Sequence, residues 1–128
     1  MLYMYDKSLA LDILEAIIIS ANKVQNRCGG INTSDDFLED ENSMIILDSI
    51  CMQLIAIGQG IKDIDKLTDK SLLVNYPSVP WRNIAGIRDV LSHNYFDLNA
   101  QTVFGVCGEN IEELINTLET IKKNLSLQ

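Results

Sequence analysis

Residues 47–64, LDSICMQLIAIGQGIKDI, carry the strongest structural signal in the chain. Large apolar side chains alternate there between spacings of three and four, which is typical of the buried face of an α-helix. The pattern is kept by Leu47, Ile50, Leu54, Ile57, Ile61 and Ile64. We therefore expect a long core helix over about five turns. Gly58 and Gly60 inside it each cost about 1 kcal/mol relative to Ala, so we expect close packing against a neighbour there.

A second amphipathic helix is predicted from Asp6 to Cys28, before the core helix. Its apolar positions are Leu11, Leu14, Ile17, Ile18, Ala21 and Val24. Gly29 and Gly30 follow where a helix commonly ends in a left-handed residue. The stretch 33–37 then begins with residues that cap helix N-termini and leads into an acidic run at 35–41, which predicts a short capped helical turn.

The C-terminal third predicts one more long helix and one short one. The last helix has the stripe Ile111, Leu114, Leu118, Ile121 and Leu125, with Asn99 or Thr102 as its cap and Gly105 and Gly108 bending its start. A shorter helix is predicted from Trp81 to about Tyr95, after an irregular loop at 67–79 and with Pro80 at its first position. Together these elements predict an all-α fold: an up-down four-helix bundle with an additional short helix, in one domain over residues 1–128.

Composition and charge exclude several classes of protein. Hydrophobic residues make up 47% and charged residues 22% of the 128 positions, which is typical of a globular domain and not of a disordered chain. The formal net charge of -8 disfavours a protein held on nucleic acid by a broad cationic face. When the chain is divided into residues 1–70, 71–96 and 97–128, only the middle segment is not net acidic, and it contains Arg82, Arg88 and the only His and Trp. We look for a local phosphate site there.

Cysteine spacing and the N-terminus bear on location. Cys28, Cys51 and Cys107 are odd in number and form no Cys-x-x-Cys pair, so we expect no disulfide framework and three buried thiols in a reducing cytoplasm. No basic segment followed by an apolar run and a cleavage site begins the chain, so no signal peptide is expected. The longest uninterrupted apolar run, around residues 17–19, is far short of a bilayer span, so no membrane location is expected.

The candidate catalytic residues lie in the pattern Arg-x4-His-x-Tyr, formed by Arg88, His93 and Tyr95. On a continuous helix Asp89 and His93 lie one turn apart, and Ser92 shares a stripe with Arg88 and Tyr95. Arg88 and His93 are then about 140° apart around the axis. Contact with one substrate therefore requires that the helix end unwinds or that a second copy of the motif approaches. Alternatively, the same spacing of Arg and His occurs on an ordinary helix surface whose charged side chains form salt bridges.

These residue types suit the cleavage of RNA. The 2′-hydroxyl is an internal nucleophile, so the reaction needs a group that moves protons and a cation where charge develops on the phosphoryl oxygens. An imidazole such as that of His93 titrates near neutral pH, and the guanidinium of Arg88 binds two phosphate oxygens with its planar fork. Asp89 can orient the imidazole. Because one His cannot serve as acid and base in one step, two chains sharing one cleft are indicated.

The stretch 76–97, YPSVPWRNIAGIRDVLSHNYFD, resembles the signature of the HEPN superfamily, and most closely that of HepT-like toxins. The order of proline-tryptophan helix start, glycine, arginine and His-x-Tyr is similar, as is the succession of helices along the chain. The resemblance implies a dimeric endoribonuclease toxin that needs no metal or other cofactor. It assigns catalysis to Arg88 and His93, with Asp89 at a position that is often Asn in relatives.

The resemblance also implies a partner and a form of regulation. HepT-like proteins are encoded beside a nucleotidyltransferase antitoxin of the MntA type, which adenylylates the motif tyrosine, here Tyr95. A phosphate ester near Arg88 would add negative charge and occupy the anion site, and this would exclude RNA. The acidic run at 35–41 is interpreted as a solvated face or as a contact for a basic partner such as that antitoxin.

Two other functions fit the same residues. The chain could be a non-catalytic helical module that binds a nucleotide or a nucleotidyltransferase partner through the same cleft, or a purely structural dimerisation domain with the motif on its surface. Trp81 is interpreted as a core or interface anchor and Gly86 as a point of close helix approach. Arg82 fits a second phosphate contact and a simple salt bridge equally well.

Overall fold

A computed structural model of the chain describes residues 5–91 and 96–128, and in these ranges the protein is all-α. The α-helices are α1 (Lys7–Arg27), α2 (Glu41–Thr68), α3 (Trp81–Ala85), α4 (Ile87–Val90), α5 (Phe96–Val106) and α6 (Glu109–Leu127). Two 3-10 turns lie at Ser34–Leu38 and Leu73–Asn75. The buried apolar side chains of these elements form one cluster. The predicted all-α helical bundle is confirmed.

The predicted core helix is α2, and it extends beyond the periodic stretch at both ends. All six periodic residues from Leu47 to Ile64 are buried. Asp40 caps its N-terminus by accepting a hydrogen bond from the backbone N–H of Ser43 at 2.8 Å. At its C-terminus Asp69 adopts the left-handed conformation with φ of 52°.

By length and composition α2 could cross a bilayer, contrary to the expectation from uninterrupted apolar runs. A buried core helix passes the same test, so this observation alone is weak evidence for a membrane span.

The close packing expected at the two α2 glycines is confirmed. A Cβ atom on Gly58 would lie 2.9 Å from the carbonyl oxygen of Ile84 in α3. On Gly60, a Cβ atom would lie 2.5 Å from the side chain of Ile17 in α1. Each glycine therefore permits an approach that a side chain would prevent. Gly60 brings α1 against α2, and Gly58 brings α3 against α2.

Helix α1 packs between α2 and α6. It begins after Asp6, whose carboxylate accepts from the backbone N–H of Leu9 at 3.0 Å, and it ends before the predicted glycines. Lys7 donates to the carbonyl oxygen of Gln128, and Lys122 forms an ion pair with Glu15. These pairs match the start of α1 with the end of α6, so the two helices are antiparallel.

The short capped turn predicted near residue 33 is the 3-10 turn Ser34–Leu38. The carboxylate of Asp36 accepts from the backbone N–H groups of Asn32, at 2.7 Å, and Thr33, at 3.0 Å. These hydrogen bonds lower the pKa of the Asp36 carboxyl below its ordinary value. Phe37 is fully buried, so the turn is fixed to the core by one aromatic side chain. The turn packs against α5 and α2.

The predicted start of the last helix is wrong. Asn99 and Thr102 lie inside a separate helix, α5, and α6 begins only after Gly108. Gly108 has φ of 82° and ψ of -128°, a conformation that only glycine adopts readily. It therefore separates two helices instead of bending one. Asn99 is buried beside Ala100 and Val103 on the packed face of α5, so it does not serve as a cap.

The expectation that no cysteines are paired is also wrong. Cys28 follows α1 and Cys107 follows α5, and the two form a disulfide with their Cα atoms 5.8 Å apart. Spacing along the chain could not reveal this pair, because 79 positions separate the two residues. The third residue, Cys51, is a buried free thiol, as expected.

Candidate functional site

The segment with the candidate motif is not one helix from Trp81 to Tyr95, as predicted, but is interrupted at two described residues. Gly86 separates α3 from α4, and its N–H bonds back to the carbonyl oxygen of Arg82 at 3.1 Å. Helix α4 then ends at Val90, and Leu91 is extended with φ of -80° and ψ of 141°. The helical stripe that related Arg88 to Ser92 and Tyr95, and Asp89 to His93, therefore does not continue past residue 90.

Two contacts fix this segment to the bundle. The indole N–H of Trp81 donates to the carbonyl oxygen of Tyr76 at 2.9 Å, and its ring packs against the core. This agrees with the interpretation of Trp81 as an anchor. On the other side of Gly86, the side chain of Ile87 lies over Gly58 of α2, 3.2 Å from where a Cβ atom of that glycine would be. Residues 81–87 are thus fixed to the core, whereas the next two side chains face solvent.

Arg88 and Asp89 are those exposed residues, on a helix of four residues. Within residues 5–91 and 96–128 neither side chain forms a hydrogen bond or an ion pair. A guanidinium without a carboxylate partner is available to bind phosphate oxygens as a planar fork. Arg82 on α3 is likewise exposed and has no such partner in the described ranges. The structure therefore presents two cations on consecutive short helices.

The other predicted site residues, Ser92, His93 and Tyr95, lie outside the described residues. Their relation to Arg88 and Asp89 stays a prediction. The extended backbone at Leu91 nevertheless bears on it, because Arg88 and His93 were predicted to share a substrate only if the helix end unwinds or a second copy approaches. The first of these conditions is met on the described side of the motif.

A cavity of about 220 Å³ lies between α3 and α6 and is hereafter called the α3–α6 cavity. Its walls are predominantly aliphatic: they include Leu54, Val79, Ile84, Ile87, Ile111 and Leu114. Three further lining residues are polar, namely Asn83 from α3 and Asn110 and Glu113 from α6. An apolar pocket with a few polar groups is the usual form of a small-molecule site.

The polar residues of the α3–α6 cavity were missed by the sequence interpretation. Asn83 and Glu113 are 30 positions apart and exposed, so neither contributes to an apolar period. The amide nitrogen of Asn110 donates to the carbonyl oxygen of Gly105 at 2.5 Å. This bond requires the break between α5 and α6, whereas the sequence predicted a single helix bent at Gly105 and Gly108. The sequence signal for these residues was a pair of polar side chains at positions 110 and 113, near the start of α6. Such a pair is common on any helix surface.

The described residues offer little other catalytic chemistry. They contain no group of three His, Cys, Asp or Glu side chains close enough to hold a metal ion. Burial, together with the nearby carboxylate of Asp48, raises the pKa of the Cys51 thiol to about 11. Since the thiolate is the nucleophile, this cysteine is unreactive near neutral pH. The candidate site in the described ranges thus consists of Arg82, Arg88, Asp89 and the α3–α6 cavity.

Comparison with known proteins gives matches by sequence but none by structure. No solved structure matches the chain significantly. A Methanocaldococcus jannaschii protein with a provisional RNase name is 32% identical over 90 residues, which cover 70% of this chain and 74% of that protein. A Thermococcus cleftensis protein named probable ribonuclease HepT is 30% identical over 112 residues, covering 88% of this chain and 91% of that protein.

A family model described as ribonuclease HepT-like matches residues 13–121. The match runs from within α1 to within α6 and includes the motif segment and the walls of the α3–α6 cavity. The resemblance stated from residues 76–97 is confirmed at the level of the family. The chain belongs to the ribonuclease HepT-like family.

Proposed function

We propose that this protein is an endoribonuclease that cleaves RNA without a metal ion and acts as the toxin of a toxin-antitoxin system. The observation that carries the proposal is the exposed guanidinium of Arg88, which has no acidic partner among the described residues. It lies in residues 71–96, a segment that is not net acidic, within a chain of the ribonuclease HepT-like family. A local cation of this kind suits one phosphate and does not require a broad basic surface.

The chemistry follows from the substrate. The 2′-oxygen attacks the adjacent phosphorus, the bond from phosphorus to the 5′-oxygen breaks, and a proton moves from the first oxygen to the second. His93 accepts or supplies that proton, and Arg88 stabilises the negative charge that develops on the phosphoryl oxygens. Asp89 orients the imidazole and Ser92 supports the phosphate contact. A homodimer provides two imidazoles to one cleft, so that one acts as base while the other acts as acid.

Regulation is proposed to act at the same site. A nucleotidyltransferase antitoxin of the MntA type transfers AMP from ATP to the hydroxyl of Tyr95 and releases pyrophosphate. The added phosphate carries negative charge, which Arg88 attracts and which repels RNA from the cleft. In this proposal the acidic run at 35–41, most of which is exposed, contacts the antitoxin. Toxin, antitoxin and RNA substrate are all cytoplasmic.

The test of cleavage uses the purified full chain, single-stranded RNA and EDTA. Wild type is expected to cut RNA in the presence of the chelator, whereas Arg88→Ala and His93→Ala are each expected to lower the rate at least about 100-fold. Lys123→Ala removes one exposed positive charge from α6 and serves as the control. Retained helical circular dichroism shows that the variants fold. If wild type binds RNA or ATP but never cleaves, the chain is a non-catalytic binding module and the proposal is wrong.

The test of regulation is mass spectrometry after co-expression with the product of the neighbouring gene. We expect a gain of one or more AMP units on Tyr95, together with loss of RNA cleavage, and no gain in Tyr95→Phe. Full neutralisation of a chain whose tyrosine is unmodified would show that the antitoxin inhibits by binding alone. Sedimentation or light scattering tests the homodimer, and a monomer that is fully active would contradict the shared cleft.

A further inference from the structure

The α3–α6 cavity adjoins the proposed phosphate site along the chain. Asn83 and Ile87 line the cavity, and their immediate chain neighbours are the exposed cations Arg82 and Arg88. Adjacent Cα atoms are about 3.8 Å apart. A nucleotide whose phosphate is held by Arg88 would therefore have the cavity wall beside it. Neither the catalytic proposal nor the proposed regulation by AMP transfer uses this cavity.

The size and walls of the cavity suit one planar ring system. Its volume of about 220 Å³ is below the roughly 300–1,000 Å³ of sites for drug-sized ligands. Ile84 and Ile87 from the motif segment and Ile111 from α6 provide aliphatic surface on different elements. Enzymes that act on nucleic acids bind extruded bases between aromatic or apolar side chains, with the edge of the base in hydrogen bonds. The cavity is thus suited to a base and not to a phosphate or a sugar.

The polar groups of the cavity favour a base edge that is rich in hydrogen-bond donors. Because the amide nitrogen of Asn110 is engaged with Gly105, its carbonyl oxygen is the group left to accept. Glu113, which lines both this cavity and a neighbouring groove beside Tyr76, adds a carboxylate, which only accepts, and it has no hydrogen bond or ion pair within the described residues. Among the four RNA bases, only guanine presents two neighbouring donor groups, N1–H and the N2 amino group, to one carboxylate.

We propose that the α3–α6 cavity binds a guanine base of the RNA substrate, with Glu113 accepting from N1–H and the N2 amino group. The amide of Asn83 binds the opposite edge of the ring, where guanine has acceptors at O6 and N7. The inference rests on the proposed function, because it makes the cavity the base-recognition subsite of the same cleft. It gives the nuclease a preference for sites next to guanine.

The direct test is a titration of the ¹⁵N-labelled full chain with mononucleotides, followed by NMR. GMP is expected to give saturable shifts at the backbone amides of Asn83, Ile87 and Asn110. IMP lacks the N2 amino group and AMP lacks both donors, so each is expected to bind about tenfold more weakly. Glu113→Gln is expected to remove the preference for GMP over IMP. Glu112→Gln is the matched control, since Glu112 is adjacent and exposed but does not line this cavity.

A second measurement separates this inference from the proposed function. RNA oligonucleotides that differ only by inosine in place of one guanine are expected to be cut more slowly at that site by wild type and equally by Glu113→Gln. If wild type cuts RNA with no dependence on guanine, and the nucleotides bind equally or elsewhere, the guanine site is wrong while the nuclease stands. If GMP binds with the stated dependence on Glu113 but RNA is never cut, the nuclease is wrong while the site stands.

Discussion

The three long helices α1, α2 and α6 differ sharply from the segment that joins α2 to α6. Each long helix has buried apolar residues at regular spacing along most of its length. By contrast, α3 and α4 contain no fully buried residue, and they are five and four residues long. All the candidate site residues on the motif segment lie in this second region. The comparison indicates that the long helices stabilise the fold, whereas the short helices carry candidate site residues and contribute little to stability.

The largest effect on stability is expected from a substitution in the long helices. Leu118 is fully buried in α6, so Leu118→Ala leaves a cavity and lowers the free energy of unfolding by about 2–5 kcal/mol. Val90 in α4 is 58% exposed, so Val90→Ala changes it by less than about 0.5 kcal/mol. Urea unfolding followed by circular dichroism measures both. Equal losses of stability would show that the short helices belong to the cooperative core.

The disulfide is expected to have the next largest effect, because it ties the two regions together. It joins the residue after α1 to the residue after α5, and it closes a loop of 79 residues in the unfolded chain. Cys28→Ser with Cys107→Ser is expected to lower the free energy of unfolding by about 2–4 kcal/mol. Dithiothreitol should lower the stability of wild type and leave the double variant unchanged.

The same pair of cysteines tests the proposed location. Disulfides are rare in the cytosol of most organisms. Alkylation of thiols in freshly lysed cells, followed by mass spectrometry, measures the fraction of Cys28 and Cys107 that is paired. A fully oxidised pair in every cell would count against a cytoplasmic protein, whereas reduced thiols would agree with it and would mean that the stabilisation by the disulfide is absent there.

The two regions also differ in how well the sequence predicts them. The long helices were identified from a buried stripe that repeats at the helical period, but only α1 was predicted nearly to its ends, whereas α2 is longer than predicted and α6 begins later. Asp6 caps α1 and Asp40 caps α2 by accepting from a backbone N–H, and Asp36 does the same in the 3-10 turn between them. Gly58 and Gly60 were also identified correctly as contacts, since a glycine inside a strong helix requires a compensating close approach.

The motif region could not be predicted in the same way. Its short helices α3 and α4 end before Gly86 and Leu91, where the backbone leaves the helix without a capping side chain, and α5 ends at Val106. The residue types of the site were clear, because Arg and His have distinctive chemistry, but their geometry depends on these breaks. Asn83 and Glu113 line the same cavity only because the fold places α3 and α6 on either side of it. No local pattern in the sequence encodes that arrangement.

The two glycines of α2 give a prediction that links the regions. In Gly58→Ala the new Cβ atom meets the backbone carbonyl oxygens of α3 at 2.9 and 3.2 Å, so α3 must move away from α2. We expect a loss of about 1–3 kcal/mol in stability, reduced by up to about 1 kcal/mol through the better helix propensity of Ala. Nucleotide binding in the α3–α6 cavity is expected to fall as well, since α3 forms one wall.

Gly60→Ala is the matched control for this variant. Its Cβ atom meets the side chain of Ile17 in α1, on the side of α2 that does not carry the motif segment. It is expected to destabilise the bundle as well, because Ile17 is branched at Cβ and adapts poorly. Nucleotide binding measured below the unfolding transition should be unchanged. A loss of binding in Gly60→Ala equal to that in Gly58→Ala would show that the cavity does not depend on the position of α3 in particular.

The smallest effect is expected from the carboxylates that cap the connection between α1 and α2. Backbone hydrogen bonds from Asn32 and Thr33 lower the pKa of Asp36, and the bond from Ser43 lowers that of Asp40. A carboxyl whose pKa is lowered by folding stabilises the native state above its unfolded pKa of about 3.9 and loses this contribution as the pH falls through the folded value. Asp36→Asn with Asp40→Asn is therefore expected to be slightly less stable than wild type at pH 7. The difference should shrink below about pH 4.

Asp35→Asn is the control for this pair. Asp35 is an exposed carboxylate of the same turn with no such bond among the described residues, so the variant should behave like wild type. Because the turn packs on α5 and α2, a difference that persists at low pH would mean that the carboxylates act through this packing and not through their charge.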